Sequence, residues 1–248
     1  MQVPPSLEER ASLTRRPDSF ALMYQRWHSL LFLHWEMEAE VLAATLPPGL
    51  FLDTYEGKAY LGLVPFYMEG VRPRFCPPVK GLSNFLEMNL RTYVYDREGR
   101  SGVWFYSLDA NQPLAVGLAR RFVHLPYQHS KMSARRDEDG WIRYSCRRAW
   151  TQVEMEFHYR GVGEVSQAWP GTLEFFLAER YLLYSYSNGS LYCGRVHHQA
   201  YPLQRAEVRI WSDRILGLNG FDCVGRSPDL AHYSRGVDVE VFPLRMSL

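Results

Sequence analysis

The chain has 248 residues, of which 46% are hydrophobic and 15% aromatic, so it can bury a sizeable core and lacks the composition of a disordered protein. The formal net charge is only +1, and basic and acidic residues are interspersed, which excludes the basic surface expected of a nucleic-acid-binding protein. No window approaches 18 apolar residues, so we expect no membrane span.

The N-terminal part predicts a tail followed by one domain. Residues 1–19 are polar and contain prolines, so we expect a flexible tail, and because no linker divides residues 20–248 we expect a single domain there. The tail has no apolar segment of the kind found in signal peptides, and the cysteines at 76, 146, 193 and 223 have no metal-binding spacing, so they predict reduced thiols of a cytoplasmic protein. The segment 29–35 predicts a strand, 38–49 a helix ended by two prolines, and 53–66 a hairpin turning at Glu56 and Gly57.

The rest of the chain predicts mostly strands. The proline-rich segment 71–83 predicts a loop, and helical spacing predicts helices at 113–124 and at 171–184, the second with Thr172 as its N-cap. Further strands, including a hairpin over 127–149 that turns at "DEDG", are predicted at 85–94, 102–110, 151–161, 191–203, 205–211 and 236–244. We therefore predict an α+β fold, mainly antiparallel β, with ten or so strands forming a barrel or a sandwich.

The strand "FLEMNLRTYV" (85–94) has an unusual second face. One face carries Leu86, Met88, Leu90, Thr92 and Val94, and the other carries Glu87, Asn89, Arg91 and Tyr93. Four residues of a strand span about 13 Å, so the Glu and the Arg cannot comfortably pair with each other, and each needs water, a cross-strand partner or a ligand. The alternation alone leaves open whether this face lies in water, as in many antiparallel sheets, or inside a barrel as a ligand site.

Several blocks of the sequence resemble one family. They extend over residues 27–240 and are "LLFLHW", "LPPGLFLDTYEGKAYLGLVPFYMEGVRP", "FLEMNLRTYV", "GVWFYSLDA", "GTLEFFLAERYLLY" and "VHHQAYPL". They are similar to the YqjF-like family, also called domain of unknown function 2071, which is grouped by fold with acetoacetate decarboxylase. The resemblance implies a β-barrel with a few inserted helices that encloses a small keto acid.

The resemblance also identifies a missing nucleophile. It puts Glu87 at the position of an active-site glutamate of the decarboxylases, whose Schiff-base lysine follows a proline. Here Pro126 is followed by Tyr127 and Gln128, neither of which supplies an amine. Of the three lysines, 58 and 80 fall in predicted turns or loops, whereas Lys131 shares strand parity with Tyr127 and is a candidate displaced nucleophile.

These observations lead to a predicted small-molecule site without a cofactor or a metal. We expect Arg91 to hold a carboxylate and Glu87 to act as an acid, a base or a hydrogen-bond acceptor, while other side chains orient the ligand or form apolar walls. The expected orienting residues are Asn89, Tyr93 and Tyr127, and the expected walls are Trp35, Phe66 and Trp104. Asp109 and His124 either line the same pocket or act as helix caps and surface groups, and Arg180 ranks below Arg91 as a ligand contact.

Two function classes remain open on the sequence. One is a binding module for a small carboxylate or keto compound, and the other is an enzyme that transfers protons at Glu87 or forms a Schiff base at Lys131. Adjacent His197 and His198 point to opposite faces of a strand and cannot chelate one ion together, so no metal is expected. The relationship to the decarboxylases implies a homo-oligomer, a dimer or larger.

Overall fold

The computed structural model describes residues 3–114, 116–117, 124–222 and 225–247. Within these residues, thirteen strands form one sheet, with one short helix before the first strand and further short helices between later strands. The strands are β1 Met23–Met37, β2 Leu50–Leu52, β3 Ala59–Pro73, β4 Phe85–Asp96, β5 Ser101–Ala110, β6 Tyr127–Arg136, β7 Ile142–Arg148, β8 Met155–Ser166, β9 Leu182–Ser187, β10 Ser190–His198, β11 Leu203–Ile210, β12 Leu230–Val241 and β13 Arg245–Met246. These helices are α1 Leu7–Ser12, α2 Ala39–Ala43, α3 Leu173–Ala178 and α4 Arg214–Leu218.

The sheet closes on itself. Its order is β13-β10-β9-β5-β6-β7-β8-β11-β12-β1-β3-β4-β2, with additional pairings of β5 with β4 and of β10 with β12. All strand pairs are antiparallel except β5 with β6 and β5 with β9. The mainly antiparallel α+β fold is therefore confirmed.

The extra pairings produce two fused rings. The long ring runs β4-β5-β6-β7-β8-β11-β12-β1-β3 and back to β4, and the short ring runs β4-β5-β9-β10-β12-β1-β3 and back to β4. The two rings share β1, β3, β4 and β12, and β5 belongs to both because it pairs with β9 near its start and with β6 near its end.

Each ring encloses its own core. Alternate residues of β1 show the division, since Leu31, Leu33 and Trp35 pack in one cluster whereas Leu30 and Phe32 pack in another. The first cluster also contains residues of β7 and β8 and fills the long ring. The second contains residues of β10 and β12 and lies in the short ring. The central part of β1, a strand shared by the rings, therefore buries both of its faces.

Several predicted elements differ in extent. The apolar stripe of 171–184 is helical only over α3, where Thr172 accepts a hydrogen bond from the Phe175 N–H at 3.2 Å and is the N-cap as predicted. Residues from Leu182 onward form β9 instead, because they pair with β10, and a continuous apolar run does not distinguish a helix from a buried strand. The predicted hairpin over 53–66 has a local turn at Tyr55–Lys58, but β2 pairs with β4 rather than with β3.

The N-terminal segment, expected to be a flexible tail, is attached to the sheet. Helix α1 begins with a capping box in which Ser6 and Glu9 bond each other's backbone. Arg10 forms an ion pair with the buried carboxylate of Asp53, and Arg16 forms one with Glu240 at 2.7 Å. Polar composition did not reveal these contacts because they join residues far apart in sequence.

Other expectations concern the loops and thiols. The hairpin of 127–149 is present as β6 and β7.

Most of the predicted helix over 113–124 lies outside the described residues, as does Cys223. Cys146 is buried, Cys193 half-buried and Cys76 exposed. In the part of the chain that the structure describes, every helix is too short to cross a membrane.

Candidate functional site

The second face of β4 points into the short ring and is buried. The exposed fractions of Glu87, Asn89, Arg91 and Tyr93 are 4%, 5%, 9% and 0%. The opposite face supplies Leu86, Met88 and Leu90 to the long-ring core. The alternative of a solvated strand face is therefore excluded, and the polar groups need partners in the interior.

Glu87 lies in an apolar and weakly hydrogen-bonded setting. It pairs across the sheet with Phe66, and its Oε2 accepts a hydrogen bond from the Tyr127 hydroxyl at 2.8 Å. Burial raises the pKa of Glu87 to about 7, while hydrogen bonds from Tyr127 and Asn89 act in the opposite direction and the charge of Asp109 adds to the rise. The carboxyl group is consequently divided between its two protonation states near neutral pH.

Arg91 is a buried cation without a carboxylate partner. None of the ion pairs among the described residues includes it, and no Asp or Glu occupies the remaining positions of the sequence. One Nη donates to the Leu177 carbonyl at 3.2 Å, and Nε has no partner in the described part. The guanidinium carbon lies 5.8 Å from the ring centres of both Phe32 and Tyr93. Cation–π contact with these rings offsets part of the free energy that the guanidinium loses when it is removed from water.

A hydrogen-bonded chain fixes the far end of this face. The Tyr93 hydroxyl donates to the Leu177 carbonyl at 2.9 Å and lies 2.8 Å from Nε2 of His34. Burial, with the charge of Arg91 as the next cause, holds the pKa of His34 well below its usual value, so the ring is neutral. Because the Tyr93 proton points to the carbonyl, Nε2 of His34 must donate, and its Nδ1, which has no partner among the described atoms, presents a lone pair.

Gly62 makes room for this contact. It pairs with both His34 and Arg91 across the sheet, and a Cβ at this position would lie 3.0 Å from the Tyr93 hydroxyl oxygen. The glycine within an apolar strand was the sequence signal for such a close approach.

His198 completes the interior from the opposite side of the short ring. Its ring stacks on Tyr181 at 4.7 Å and contacts Tyr201 at 4.6 Å. Nδ1 lies 2.8 Å from the Gln199 carbonyl oxygen, which can only accept, so Nδ1 carries the hydrogen. Burial lowers the pKa of His198 to about 4, and the charge of Arg91 contributes, so the ring is neutral and the unpartnered Nε2 presents a lone pair.

The sequence does not identify these partners. Adjacent positions on a strand predict only that His197 and His198 point to opposite faces. His197 is partly exposed beside Glu240, whereas His198 is 2% exposed. Their approach to Arg91 depends on ring closure, which brings β1 and β10 to β4.

The other predicted site residues divide between the interior and the outside. Phe66 lies in the short-ring core beside Glu87, and Tyr127 donates to it. Trp35 is buried on the other face of β1, in the long-ring core, so it is not a wall of this interior. Trp104 is half-buried and lines a surface cleft of about 590 Å³ together with His124. Lys131 is exposed on β6, so the structure does not bring its amine into the interior.

Asp109 and Arg180, the other charged residues considered from the sequence, are parts of buried ion pairs. Asp109 accepts hydrogen bonds from Ser130 at 2.7 Å and from Arg148 at 2.8 and 2.9 Å, all buried. Arg180 pairs with Asp53 at 2.9 Å. Asp109 and Arg180 therefore each have an opposite charge within the protein, and Arg180 Nη2 is left without a hydrogen-bond partner among the described residues. Among the described residues, no group of three or more His, Cys, Asp or Glu side chains is arranged to hold a metal ion.

Comparisons with known proteins give one family and one fold. The model of the family DUF2071, described as an uncharacterised conserved protein, matches residues 24–238. The chain is 38% identical over 231 residues to the uncharacterised protein YqjF of Bacillus subtilis (strain 168), covering 92% of this chain and 94% of that protein.

Solved structures that resemble the chain share its fold at low identity. The enduracididine biosynthesis enzyme MppR, complexed with pyruvate, superposes with a TM-score of 0.63 at 12% identity and covers 94% of this chain and 93% of its own. Acetoacetate decarboxylase from Legionella pneumophila has a TM-score of 0.61 at 12% identity, covering 100% and 97%. The predicted acetoacetate decarboxylase-like fold is therefore confirmed, and at this identity the likeness shows the fold alone.

Proposed function

The chain belongs to the DUF2071 family of uncharacterised conserved proteins, as its resemblance to the YqjF-like sequences indicated, and we propose that it binds a small carboxylate or keto compound inside the short ring. Arg91 is the proposed carboxylate partner. Glu87 is the proposed second contact, and the side chains of Asn89 and Tyr93 orient the ligand.

The unpaired guanidinium of Arg91 carries this proposal. Removing an arginine from water costs several kcal/mol, and buried arginines normally recover that cost from a carboxylate. Arg148 and Arg180 do so with Asp109 and Asp53. Among the described residues, Arg91 contacts the Leu177 carbonyl, the Tyr93 side chain and the Phe32 ring, none of which is a carboxylate. A ligand carboxylate would supply the missing charge and accept from the free Nε, in the two-bond geometry that guanidinium and carboxylate groups favour.

The surroundings of Arg91 support a small ligand with one apolar side. Phe32, Phe66 and Val64 belong to the same short-ring core and supply apolar surface next to the polar face of β4. Such a combination, mostly apolar walls with a few convergent polar groups, is typical of small-molecule sites. The fold neighbour MppR is complexed with pyruvate, a small keto acid, which is consistent with the proposed ligand class.

The proposal does not include a Schiff base. Such chemistry needs an amine whose pKa is lowered by burial or by a cationic neighbour. Lys58, Lys80 and Lys131 are all exposed, and Lys58 pairs with Glu36 at 2.9 Å. The site is therefore proposed to act without an amine nucleophile.

A second candidate function is proton transfer at Glu87. Its pKa of about 7 is the observation that favours an enzyme, because a general acid or base works best near the pH of the medium. As a carboxylate it would take a proton from the carbon next to the ligand's carbonyl group, and as a carboxylic acid it would return that proton. The Tyr127 hydroxyl would hold the carboxyl group in position through its 2.8 Å hydrogen bond.

Thermal unfolding with a panel of small carboxylates and keto acids tests the binding proposal. A ligand at 100 times its dissociation constant adds about 2.7 kcal/mol to the free energy of unfolding. For a chain of this size that corresponds to a rise of about 5–10 °C in Tm. We expect the rise in the wild type and in the control Arg143→Met, which removes an exposed arginine of β7, and its loss in Arg91→Met.

Two results would contradict the proposed function. If no acid raises Tm in the wild type, the carboxylate site is wrong. If the rise persists in Arg91→Met, the site lies elsewhere. For any acid that binds, turnover by the wild type separates the two functions, and loss of that turnover in Glu87→Gln, with the acid still bound, would assign the proton transfer to Glu87.

A further inference from the structure

The buried polar atoms without partners in the short ring differ in hydrogen-bonding role. Arg91 Nε is a donor, whereas His34 Nδ1, Asn89 Oδ1 and His198 Nε2 are acceptors. All four residues are at least nine-tenths buried, with exposed fractions between 1% and 9%. Among the described residues, Arg180 Nη2 beside Tyr93 is a further unpartnered donor, and Ser185 Oγ on β9 can donate or accept, so acceptors are the larger group but not the whole of it.

The three acceptors surround the proposed carboxylate site. Asn89 is two residues before Arg91 on the same face of β4, and His34 is joined to Tyr93, two residues after it. His198 comes from β10 and reaches Arg91 through two rings, since Tyr201 lies 4.6 Å from His198 and 5.3 Å from Phe32, whose ring centre is 5.8 Å from the Arg91 guanidinium carbon. A ligand bound to Arg91 would therefore meet lone pairs on more than one side.

A plain keto acid does not complement such a site. Its carboxylate satisfies the guanidinium, but its carbonyl oxygen is another acceptor and would face acceptor lone pairs. A hydroxyl group donates one hydrogen bond and satisfies an acceptor. An ammonium group also donates, but its charge would be buried beside the Arg91 cation, which is unfavourable in a site shielded from water.

We propose that the ligand of the short ring is a hydroxylated carboxylate, held by its carboxylate at Arg91 and by a hydroxyl group that donates to His198 Nε2 or Asn89 Oδ1. This inference rests on the proposed function and specifies its ligand class. His198 also lines a surface cleft of about 710 Å³.

Matched acids test the proposal by isothermal titration calorimetry. The series compares propionate, pyruvate, both enantiomers of lactate, and glycerate, and repeats the comparison with butyrate, 3-oxobutyrate and 3-hydroxybutyrate. Each set keeps the carbon chain length and compares an unsubstituted acid, which adds no polar group, with a keto acid, which adds an acceptor, and with hydroxy acids, which add a donor. We expect a hydroxy acid to bind at least tenfold more tightly than the keto and unsubstituted acids of equal length, since an unpaired buried acceptor is costly.

The variant His198→Phe tests whether His198 accepts the hydrogen bond from the ligand hydroxyl. The substitution keeps an aromatic ring for stacking on Tyr181 and removes the acceptor, so the preference for the hydroxyl group should fall or disappear while the unsubstituted acid still binds. The matched control is His158→Phe, since His158 is also buried with an unpartnered Nε2 but lies on β8 beside Trp141. The control should keep the preference.

The outcomes separate this inference from the proposed function. Equal binding of hydroxy, keto and unsubstituted acids by the wild type overturns the inference and leaves the carboxylate site intact. A preference that survives in His198→Phe and in Asn89→Leu also overturns it. Failure of every acid to bind overturns the proposed function itself. The wild-type series decides the question even where a variant does not fold.

Discussion

Replacing Glu87 by glutamine should change how the stability of the protein depends on pH. Glutamine has nearly the shape of a protonated glutamic acid, so the variant resembles the wild type in acid and differs from it where the carboxyl group would ionise. Glu87 has a pKa of about 7 in the folded protein because burial disfavours its charge, against an ordinary value of 4.5 in the unfolded chain.

The sign follows from proton uptake. Between pH 4.5 and 7 the folded wild type holds a proton that the unfolded chain has lost, so its free energy of unfolding falls as the pH rises. The difference between the folded and unfolded pKa values lowers the free energy of unfolding by about 3 kcal/mol in total, and about 2.5 kcal/mol of this change occurs between pH 5 and pH 8. Relative to wild type, Glu87→Gln should therefore become more stable by about 2.5 kcal/mol over this interval, or by about 5–10 °C in Tm.

Chemical denaturation of both proteins from pH 5 to pH 8 measures this difference. Buried histidines with lowered pKa values, such as His34 and His198, change stability in the opposite direction, but they are present in both proteins and cancel. Glu156→Gln, an exposed position on β8, is the control and should track the wild type at every pH. A difference between Glu87→Gln and wild type that stays constant across the interval would refute the assignment of a raised pKa to Glu87.

Three further predictions concern the interior of the short ring. Arg91→Met should leave the ligand-free protein as stable as wild type or more so, because it removes an unpaired buried charge. Arg148→Met should instead cost about 3–5 kcal/mol, because it leaves the buried Asp109 carboxylate unpaired. Urea denaturation compares the two variants, and equal losses of stability would contradict the distinction. Tyr127→Phe removes a hydrogen bond that favours the Glu87 carboxylate, so the midpoint of the pH dependence should move upward, and a downward shift would be contrary to the geometry. Gly62→Ala should destabilise the protein by about 1–3 kcal/mol in thermal unfolding, because its new methyl carbon would lie 3.0 Å from a buried phenol oxygen, and an unchanged Tm would show that the strand can relax.

The sequence was sufficient to predict one half of the candidate site. Strict alternation in 85–94 places Glu87, Asn89, Arg91 and Tyr93 on one face; in the structure Asn89 bonds Glu87, and Arg91 and Tyr93 both bond the Leu177 carbonyl. The family resemblance identified the fold and the absence of a lysine after Pro126. Both inferences depend on local pattern or on aligned blocks, which a single sequence contains.

The other half depends on closure of the sheet. His34 and His198 lie more than 160 positions apart, and only the pairing of β10 with β12 and of β12 with β1 brings them to one interior. The error at Trp35 has the same origin. The sequence predicts that Trp35 is buried, but a strand shared by two rings buries both faces, so hydrophobicity does not indicate which ring a residue enters.

The same sharing explains how the protein tolerates a polar face with unpaired groups. The apolar face of β4 buries Leu86, Met88 and Leu90 in the long ring, each worth about 1.5–3 kcal/mol, which is comparable with the several kcal/mol that an unpaired buried guanidinium costs. The register is fixed by the same division, because a slip of one residue would move Glu87 and Arg91 into the apolar long ring. The apolar face of β4 therefore also fixes which way the polar face points. Because burial of the apolar face in the long ring stabilises the strand, β4 can present unpaired polar groups to the interior of the short ring. A ligand that pairs with Arg91 would then add its binding free energy to a frame that is already stable without it.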